Sequence, residues 1–164
     1  MSKAYIGIDN GVTGSIGIIT EGKISFFKTP TKRELSYTKK QQHITRINVV
    51  ELEHQIVQHI IGISPLVLIE RPLVNPGMFK ATLSAMRALE ATLGVIERIG
   101  LGYWYIDSKE WQSALLPSGI KGTPSLKSAS RDIGKRLYPH LSDAIDKQKD
   151  ADGLLIAHYL MSKS

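Results

Sequence analysis

The pattern of apolar and polar positions along the chain predicts strands first and helices later. Three short apolar segments near the start have the length of strands, and the dipeptide Glu21-Gly22 predicts a tight hairpin turn between the last two. These strands are predicted over residues 4–9, 15–20 and 23–28. Residues 29–44 are polar and basic without a clear period, so we expect an exposed loop there.

The rest of the chain alternates helical patterns with short apolar runs. The segment LVLIE at 66–70 predicts a strand buried on both faces, and YWYID at 103–107 predicts a fifth strand. Helices are predicted over residues 45–61, 78–99, 108–116, 125–137 and 150–161. Trp104 and Trp111 are expected in the core.

This order of elements predicts an α/β fold in one domain spanning residues 1–164. Consecutive strands joined by tight turns should be antiparallel, whereas strands separated by helices should be parallel. The expected sheet is therefore mixed and five-stranded, with three antiparallel strands, then two parallel ones, and helices on its faces. No apolar run is long enough to span a membrane.

Acidic residues end two of the predicted strands. Asp9 follows the first strand and Glu70 ends the fourth, so parallel neighbours would place both carboxylates side by side. Partly buried like charges repel each other, and a divalent cation relieves that cost. Purely structural roles for these two acids stay open, because Asp9 could cap the following turn and Glu70 could pair with Arg71.

A third acid, Asp152, lies at the start of the last predicted helix. Acids in a first helical turn also complement the helix dipole, which is the structural alternative. Gly153 and a buried run follow Asp152, however, and they suggest that this helix approaches the sheet closely. Asp152 would then join Asp9 and Glu70 in an all-oxygen site of the kind that Mg²⁺ and Mn²⁺ prefer, with two ions supporting phosphodiester hydrolysis.

The charge distribution points to a polyanionic partner. The chain has a net charge of +6, and its Lys and Arg residues concentrate in residues 28–46 and 109–136. Cations gain affinity for nucleic acid by releasing counterions from phosphate. The DNA-binding candidates are Lys39, Lys40, Arg71, Lys80, Lys109, Lys121, Lys127 and Arg131.

Cysteine is absent from the sequence. This excludes a disulfide scaffold and a thiolate zinc site, and it fits an intracellular protein. The N-terminal residues enter a strand pattern directly, so no signal peptide is expected. We therefore expect a protein of the cytoplasm or nucleoid, and a phage gene acting inside a host cell is compatible with this.

Several segments carry a further pattern in a fixed order. GIDNGVTGSIGII is followed by LIERP, by NPGMFKATLSAMRALEATLGVIERIGL, by YWYIDSKEWQSAL, by KSASRDIGKRLYP and finally by ADGLLIA. In this order and spacing they resemble the RuvC-type Holliday-junction resolvases of the RNase H-like superfamily. Asn10 stands where that family usually has proline. The resemblance covers nearly the whole chain and implies the RNase H-like fold.

The resemblance also implies a function. It implies a homodimer that binds a four-way DNA junction and makes paired cuts with Mg²⁺ or Mn²⁺. The helix at 78–99 carries more apolar surface than one side needs, so we expect part of it to pack against the second subunit. Asp9, Glu70 and Asp152 match the first, second and last of the family's four acids. The third acid is missing from its usual place, so Asp150 is the first candidate to replace it and Asp146 the second.

Two further positions follow from the resemblance. Lys127 matches the lysine of a Lys-x-x-Ser element and could contact the scissile phosphate. Leu73 stands where the family can carry an aromatic wedge, and Met78 or Phe79 could replace that wedge.

Three other functions stay open. The segment from Asp9 to Gly14 also fits the Asp-x-Gly-x-Thr phosphate loop of actin-like ATPases, but those proteins clamp ATP between two such domains. A junction-binding protein with weak or no catalysis would keep the basic segments and lose the site. A nuclease acting on flaps or RNA–DNA hybrids would use the same fold.

Overall fold

The computed structural model describes residues 2–164, in which seven strands and six helices are arranged as an α/β fold. The strands are β1 (Lys3–Ile8), β2 (Ser15–Thr20), β3 (Lys23–Lys28), β4 (Thr31–Leu35), β5 (His43–Ile47), β6 (Ser64–Glu70) and β7 (Tyr103–Ile106). The helices are α1 (Val49–Val57), α2 (Phe79–Ile99), α3 (Ser108–Leu115), α4 (Thr123–Leu137), α5 (Ser142–Gln148) and α6 (Asp152–Ser162). Short 3₁₀ turns occupy Pro76–Met78 and Pro139–Leu141.

The main sheet has the predicted composition and directions. Its five strands follow the order β3-β2-β1-β6-β7. β2 is antiparallel to β1 and β3, whereas β6 is parallel to β1 and β7 is parallel to β6. Gly22 in the β2–β3 turn has φ +91°, a conformation that favours glycine, which explains the tight turn. The mixed five-stranded sheet predicted from the sequence is confirmed.

The prediction of a loop over residues 29–44 is wrong. β4 and β5 form a separate antiparallel hairpin, and α1 begins at Val49 instead of residue 45. Few apolar residues mark these two strands. The carboxylate of Glu34 pairs with Lys32 on its own strand and with Arg46 across the hairpin. Asn48 then starts α1, because its Oδ1 accepts a hydrogen bond from the Glu51 amide at 3.2 Å.

Two further predictions need correction. An unpredicted helix, α5, precedes the last helix, and Lys149 with φ +75° separates the two, so that α6 begins at Asp152 instead of residue 150. Trp111 is fully buried as expected, but Trp104 is 56% exposed because β7 is an edge strand of the sheet.

Two apolar cores lie on opposite faces of the sheet. The helices α1 and α2 cover one face with residues such as Leu52, Ile56 and Ile96. The helices α3 to α6 cover the other face with residues such as Trp111 and Leu154. Within residues 2–164, none of the helices combines the length and the apolar character needed to cross a bilayer.

Glycines let α6 lie directly against the sheet. A Cβ added to Gly7 in β1 would lie 2.2 Å from the backbone nitrogen of Ala157, and one on Gly17 in β2 would lie 2.4 Å from the Cα of Leu154. A Cβ on Gly153 would lie 2.4 Å from the carbonyl oxygen of Ser15. Backbone therefore packs on backbone here, which brings the start of α6 to the end of β1 where Asp9 lies.

Candidate metal centre

Asp9 and Glu70 lie at the same edge of the sheet. In the parallel pair of β1 and β6, Ile8 is opposite Ile69, so the next residues along the two strands are Asp9 and Glu70. Burial raises the pKa of Asp9 well above its ordinary value of 3.8, and the charges of neighbouring acids, Asp152 foremost, raise it further. The two strand-end acids that the sequence singled out are thus neighbours.

Asp150 and Asp152 join Asp9 from the junction of α5 and α6. One carboxylate oxygen from each of these three acids lies within 4.8 Å of the other two. The left-handed conformation of Lys149 ends α5, so Asp150 and Asp152 need not obey helical spacing. Asp150 Oδ1 accepts the Asp152 amide at 3.1 Å, and the Asp150 side chain is only 4% exposed.

Asp146 lies outside this cluster. Its carboxylate pairs with Lys135 at 2.9 Å and with Arg131 at 3.3 Å on the surface between α4 and α5. Asp150 and Asp146 were the two candidates for the third acid that the resemblance implies. The structure brings Asp150, and not Asp146, to Asp9.

Helix α4 contributes a lysine and a serine to the cluster. Lys127 Nζ donates to Asp150 Oδ2 at 2.7 Å and lies 3.6 Å from Asp152 Oδ2. Burial lowers the pKa of Lys127, but the hydrogen bond to Asp150 and the charges of the acids outweigh it and raise the pKa above its ordinary value. Ser130 Oγ donates to Asp152 Oδ1 and accepts the Ala151 amide at 3.0 Å.

The donor set fits a hard divalent cation. Asp9, Asp150 and Asp152 supply only oxygen atoms, and Glu70 adds negative charge beside them. The single charge of Lys127 does not balance the negative charge of these four acids. Burial and the nearby charge of Asp150 raise the pKa of Asp152. A cation bound by these three acids would relieve their repulsion, and oxygen ligands are those that Mg²⁺ and Mn²⁺ prefer.

Glu70 is oriented by a tryptophan that the sequence predicted only as a core residue. The Trp111 Nε1–H of α3 donates to Glu70 Oε2 at 2.6 Å. Burial raises the pKa of Glu70 to about 7, although this hydrogen bond opposes the shift. A buried indole N–H needs an acceptor, so the sequence indicates that Trp111 has one, but it does not indicate that the acceptor is Glu70. Glu70 is not among the three acids within 4.8 Å of one another, so Trp111 holds it at the border of the cluster.

Replacing Trp111 by phenylalanine should weaken metal binding without unfolding the protein. Phenylalanine keeps an aromatic ring in the core but removes the donor that fixes Glu70. Because Glu70 would act as a fourth ligand, we expect a roughly tenfold loss of Mn²⁺ affinity, as is typical when the hydrogen-bond partner of a ligand is removed. Isothermal titration with Mn²⁺ measures it. Trp104→Phe, which changes the exposed tryptophan, is the matched control and should leave the affinity unchanged.

The predicted DNA-binding side chains are mostly exposed but dispersed. Lys39 and Lys40 lie at the tip of the β4–β5 hairpin, and Lys127 reaches the acids. Arg71 follows Glu70 but pairs with Asp107 at 3.0 Å, which argues against an ion pair of Glu70 with Arg71. The remaining candidates are exposed at the start of α2, in α3, before α4 and in α4, as Lys80, Lys109, Lys121 and Arg131.

A cavity of about 210 Å³ adjoins Glu70. It lies between the ends of β1 and β6 and the first turns of α2, and Asn10, Arg71, Leu73 and Met78 are among the residues that line it. Leu73, Met78 and Phe79 are 79%, 56% and 68% exposed. Leu73 and Met78 thus stand at the surface beside Glu70, and Phe79 is exposed at the start of α2.

Comparison with known proteins identifies the fold. No family model and no curated protein matches the chain. Among solved structures, it is similar to RuvC of Thermus thermophilus in complex with Holliday junction substrate, at 14% identity over 98% of this chain and 96% of that chain, with a TM-score of 0.54. A second Thermus thermophilus RuvC structure matches at 17% identity over 99% and 97%, with a TM-score of 0.48. The chain therefore has the RNase H-like α/β fold of RuvC, as its motifs implied.

Proposed function

We propose that this protein is a metal-dependent endonuclease that cuts branched DNA, with the four-way junction as its substrate. The observation that carries the proposal is the meeting of Asp9, Asp150 and Asp152 within 4.8 Å at the sheet edge, beside Glu70. The RuvC structure that shares this fold is a complex with a Holliday junction. A net charge of +6 supports a polyanionic substrate.

The side chains have separate tasks in this proposal. Asp9, Asp150 and Asp152 would hold Mg²⁺ or Mn²⁺, and Glu70 would complete a site for two ions. When bound, such ions activate a water and stabilise the leaving oxygen of a phosphodiester. Ser130 and Trp111 fix the orientation of Asp152 and Glu70 through their hydrogen bonds. Lys127, with its side chain 45% exposed, is within reach of a phosphate that approaches the acids.

A cleavage assay tests the proposal directly. The protein is incubated with an end-labelled synthetic four-way junction, a linear duplex, a flap and an RNA–DNA hybrid, each with Mg²⁺, with Mn²⁺ or with EDTA. We expect paired cuts near the centre of the junction that require the metal. If only flaps or hybrids are cut, the proposed substrate is wrong and one of these takes its place. Tight junction binding without any cutting would contradict the proposal that the protein is an enzyme.

Lys127→Ala should slow cleavage more than it weakens DNA binding. Lys127 is the cation nearest the acids, so its loss removes the group that would stabilise charge on the phosphate, and we expect a rate about a hundredfold lower. Single-turnover cleavage and anisotropy measure the two effects. Lys135→Ala, on the same helix but paired with Asp146, is the matched control. Equal rates in the two variants would remove Lys127 from the site.

We also propose a homodimer formed through α2. One side of this helix packs on the sheet through residues such as Leu89, Leu93 and Ile96. Other apolar residues of this helix remain exposed, with Leu83 46% and Met86 37% accessible. An exposed apolar stripe on a long helix is typical of a subunit interface, and two subunits would supply the paired cuts.

The dimer is tested by light scattering at micromolar concentration. We expect twice the monomer mass of 18.1 kDa for the wild type and the monomer mass for Leu83→Glu, because a buried charge disrupts an apolar interface. Leu137→Glu, a similarly exposed leucine on α4 across the sheet, should remain dimeric. A monomeric wild type would contradict this part of the proposal.

A further inference from the structure

The β4–β5 hairpin is a ribbon with little core of its own. Only Ile47, at its base, is buried, whereas most other residues of both strands are exposed or half-exposed. A two-stranded hairpin without an apolar face is marginally stable by itself, so its stability here comes from its base and from ion pairs. Apart from Ile47, the ribbon contributes little to the apolar core of the domain.

Most of the protein's net charge lies on this ribbon. Residues 29–48 hold five Lys and Arg against one acid, a net charge of +4 out of +6 for the whole chain. That acid, Glu34, is already paired with Lys32 and Arg46. Arg33, Lys39 and Lys40 have no acidic partner in the part of the chain that the structure describes. These cations are therefore available for an anionic partner.

The tip of the ribbon is ordered and presents an aromatic ring. The Ser36 amide donates to Gln42 O at 2.8 Å, and the Gln41 amide donates to Thr38 O at 2.9 Å. The hydroxyls of Ser36 and Thr38 are 2.8 Å apart, and between them Tyr37 is 95% exposed. Tyr37 is thus held in the turn at the tip of the ribbon, which also contains Lys39 and Lys40.

The ribbon starts at the edge of the sheet that carries the acids. The Thr29 amide donates to Gly14 O at 3.0 Å, and the Asp9 amide donates to Ser15 O at 3.0 Å, so the base of the ribbon is close to Asp9. Five residues of a strand span roughly 17 Å, which is more than the width of a DNA groove. A DNA molecule at the acids would therefore be within reach of the ribbon.

We propose that the β4–β5 hairpin is a second DNA-binding element, which follows the phosphate backbone of one duplex arm and stacks Tyr37 on a base exposed at the branch. This inference rests on the proposed function for the choice of branched DNA. Basic two-stranded ribbons fit the major groove, and exposed aromatic rings bind unpaired bases by stacking. The ribbon would thereby hold the branch point next to Asp9.

The phosphate contacts are tested by the salt dependence of binding. Fluorescence anisotropy with a labelled four-way junction is measured in EDTA over a range of salt concentrations. The slope of log affinity against log salt should fall in magnitude by about 1.8 in Lys39→Ala/Lys40→Ala, since each lost phosphate contact removes about 0.9. The matched control is Lys3→Ala/Lys23→Ala, which removes two exposed lysines from the opposite edge of the sheet and should keep the slope. Equal slopes in the two double variants would overturn the proposal.

The stacking contact is tested by comparing two DNAs. Tyr37→Ala should bind the junction about tenfold more weakly than wild type, and Tyr37→Phe should bind it normally, because either ring can stack. Neither change should affect binding to a continuous duplex, which has no base exposed at a branch. A loss that is equal on both DNAs, or no loss at all, would overturn the role of Tyr37.

These outcomes are separable from those of the nuclease proposal. If the wild type cuts no DNA, but the hairpin variants show the expected changes in salt slope and in junction affinity, the nuclease proposal is wrong and the proposed role of the ribbon is supported. If the wild type cuts junctions, but all hairpin variants bind DNA as the wild type does, the proposed role of the ribbon is wrong and the nuclease proposal is supported.

Discussion

Asp9→Asn should abolish junction cleavage while junction binding remains intact or becomes tighter. The change keeps the shape of the side chain but removes a negative charge that a metal ion needs and that repels phosphate. Loss of several kcal/mol of metal-derived stabilisation lowers a rate by about a thousandfold or more. Single-turnover cleavage with Mg²⁺ or Mn²⁺ measures the rate, and anisotropy in EDTA measures binding.

Thermal melting separates loss of the site from loss of the fold. Wild-type protein should melt at a higher temperature with Mn²⁺, because a ligand that binds only the folded state stabilises it. Asp9→Asn should lose most of this shift yet be at least as stable without metal, since it relieves the repulsion from Asp152, Glu70 and Asp150. Asp146→Asn, outside the cluster, is the control and should keep the metal shift. Normal cutting by Asp9→Asn would show that the site is wrongly assigned.

Gly7→Ala should destabilise the protein by about 3 kcal/mol, at the upper end for overpacked cores. The new Cβ would lie 2.2 Å from Ala157 N, 2.3 Å from Gly153 O and 2.8 Å from Ile156 C, all backbone atoms that cannot rotate away. Helix α6 would have to move off the sheet, and Asp152 would move with it. We expect a melting temperature lower by about 10 °C and a smaller metal-induced shift. The two measurements come from one melting series with and without Mn²⁺.

Gly94→Ala is the matched control for this prediction. Gly94 is an exposed residue in the middle of α2, and an added Cβ would find no atom within 4 Å. Alanine is the better helix former by about 1 kcal/mol, so the protein should become slightly more stable. If Gly7→Ala were as stable as Gly94→Ala, the close contact between α6 and the sheet would be contradicted.

The sheet and the position of its acids could be predicted because apolar periodicity reports burial. β1 and β6 are apolar runs whose last apolar residues are buried, and Asp9 and Glu70 stand where those runs end. The β4–β5 hairpin could not be found in this way, since its strands carry charged residues such as Glu34, Lys32 and Arg46 and show no apolar alternation. A pattern of apolar residues does not reveal strands whose side chains are mostly polar and form ion pairs.

The arrangement of the acids was only partly accessible from the sequence. The place of Asp150 depends on the left-handed residue Lys149, and no apolar pattern marks a non-glycine residue in that conformation. The hydrogen bond from Trp111 to Glu70 joins residues 41 positions apart, which spacing along the chain does not reveal. The close approach of α6 was easier to anticipate, because Gly153 precedes a buried run.

The backbone contact between α6 and the sheet also determines when the acids can come together as the chain folds. Gly153 bonds through its amide to Ser15 Oγ, a contact between residues 138 positions apart. Contacts of such long sequence separation form late, because closing a large loop is entropically unfavourable. A partly folded chain that has formed only β1 and β2 holds Asp9 without Asp150 and Asp152. Metal binding by these acids would thus require completed folding, and the ion could not serve as its nucleus.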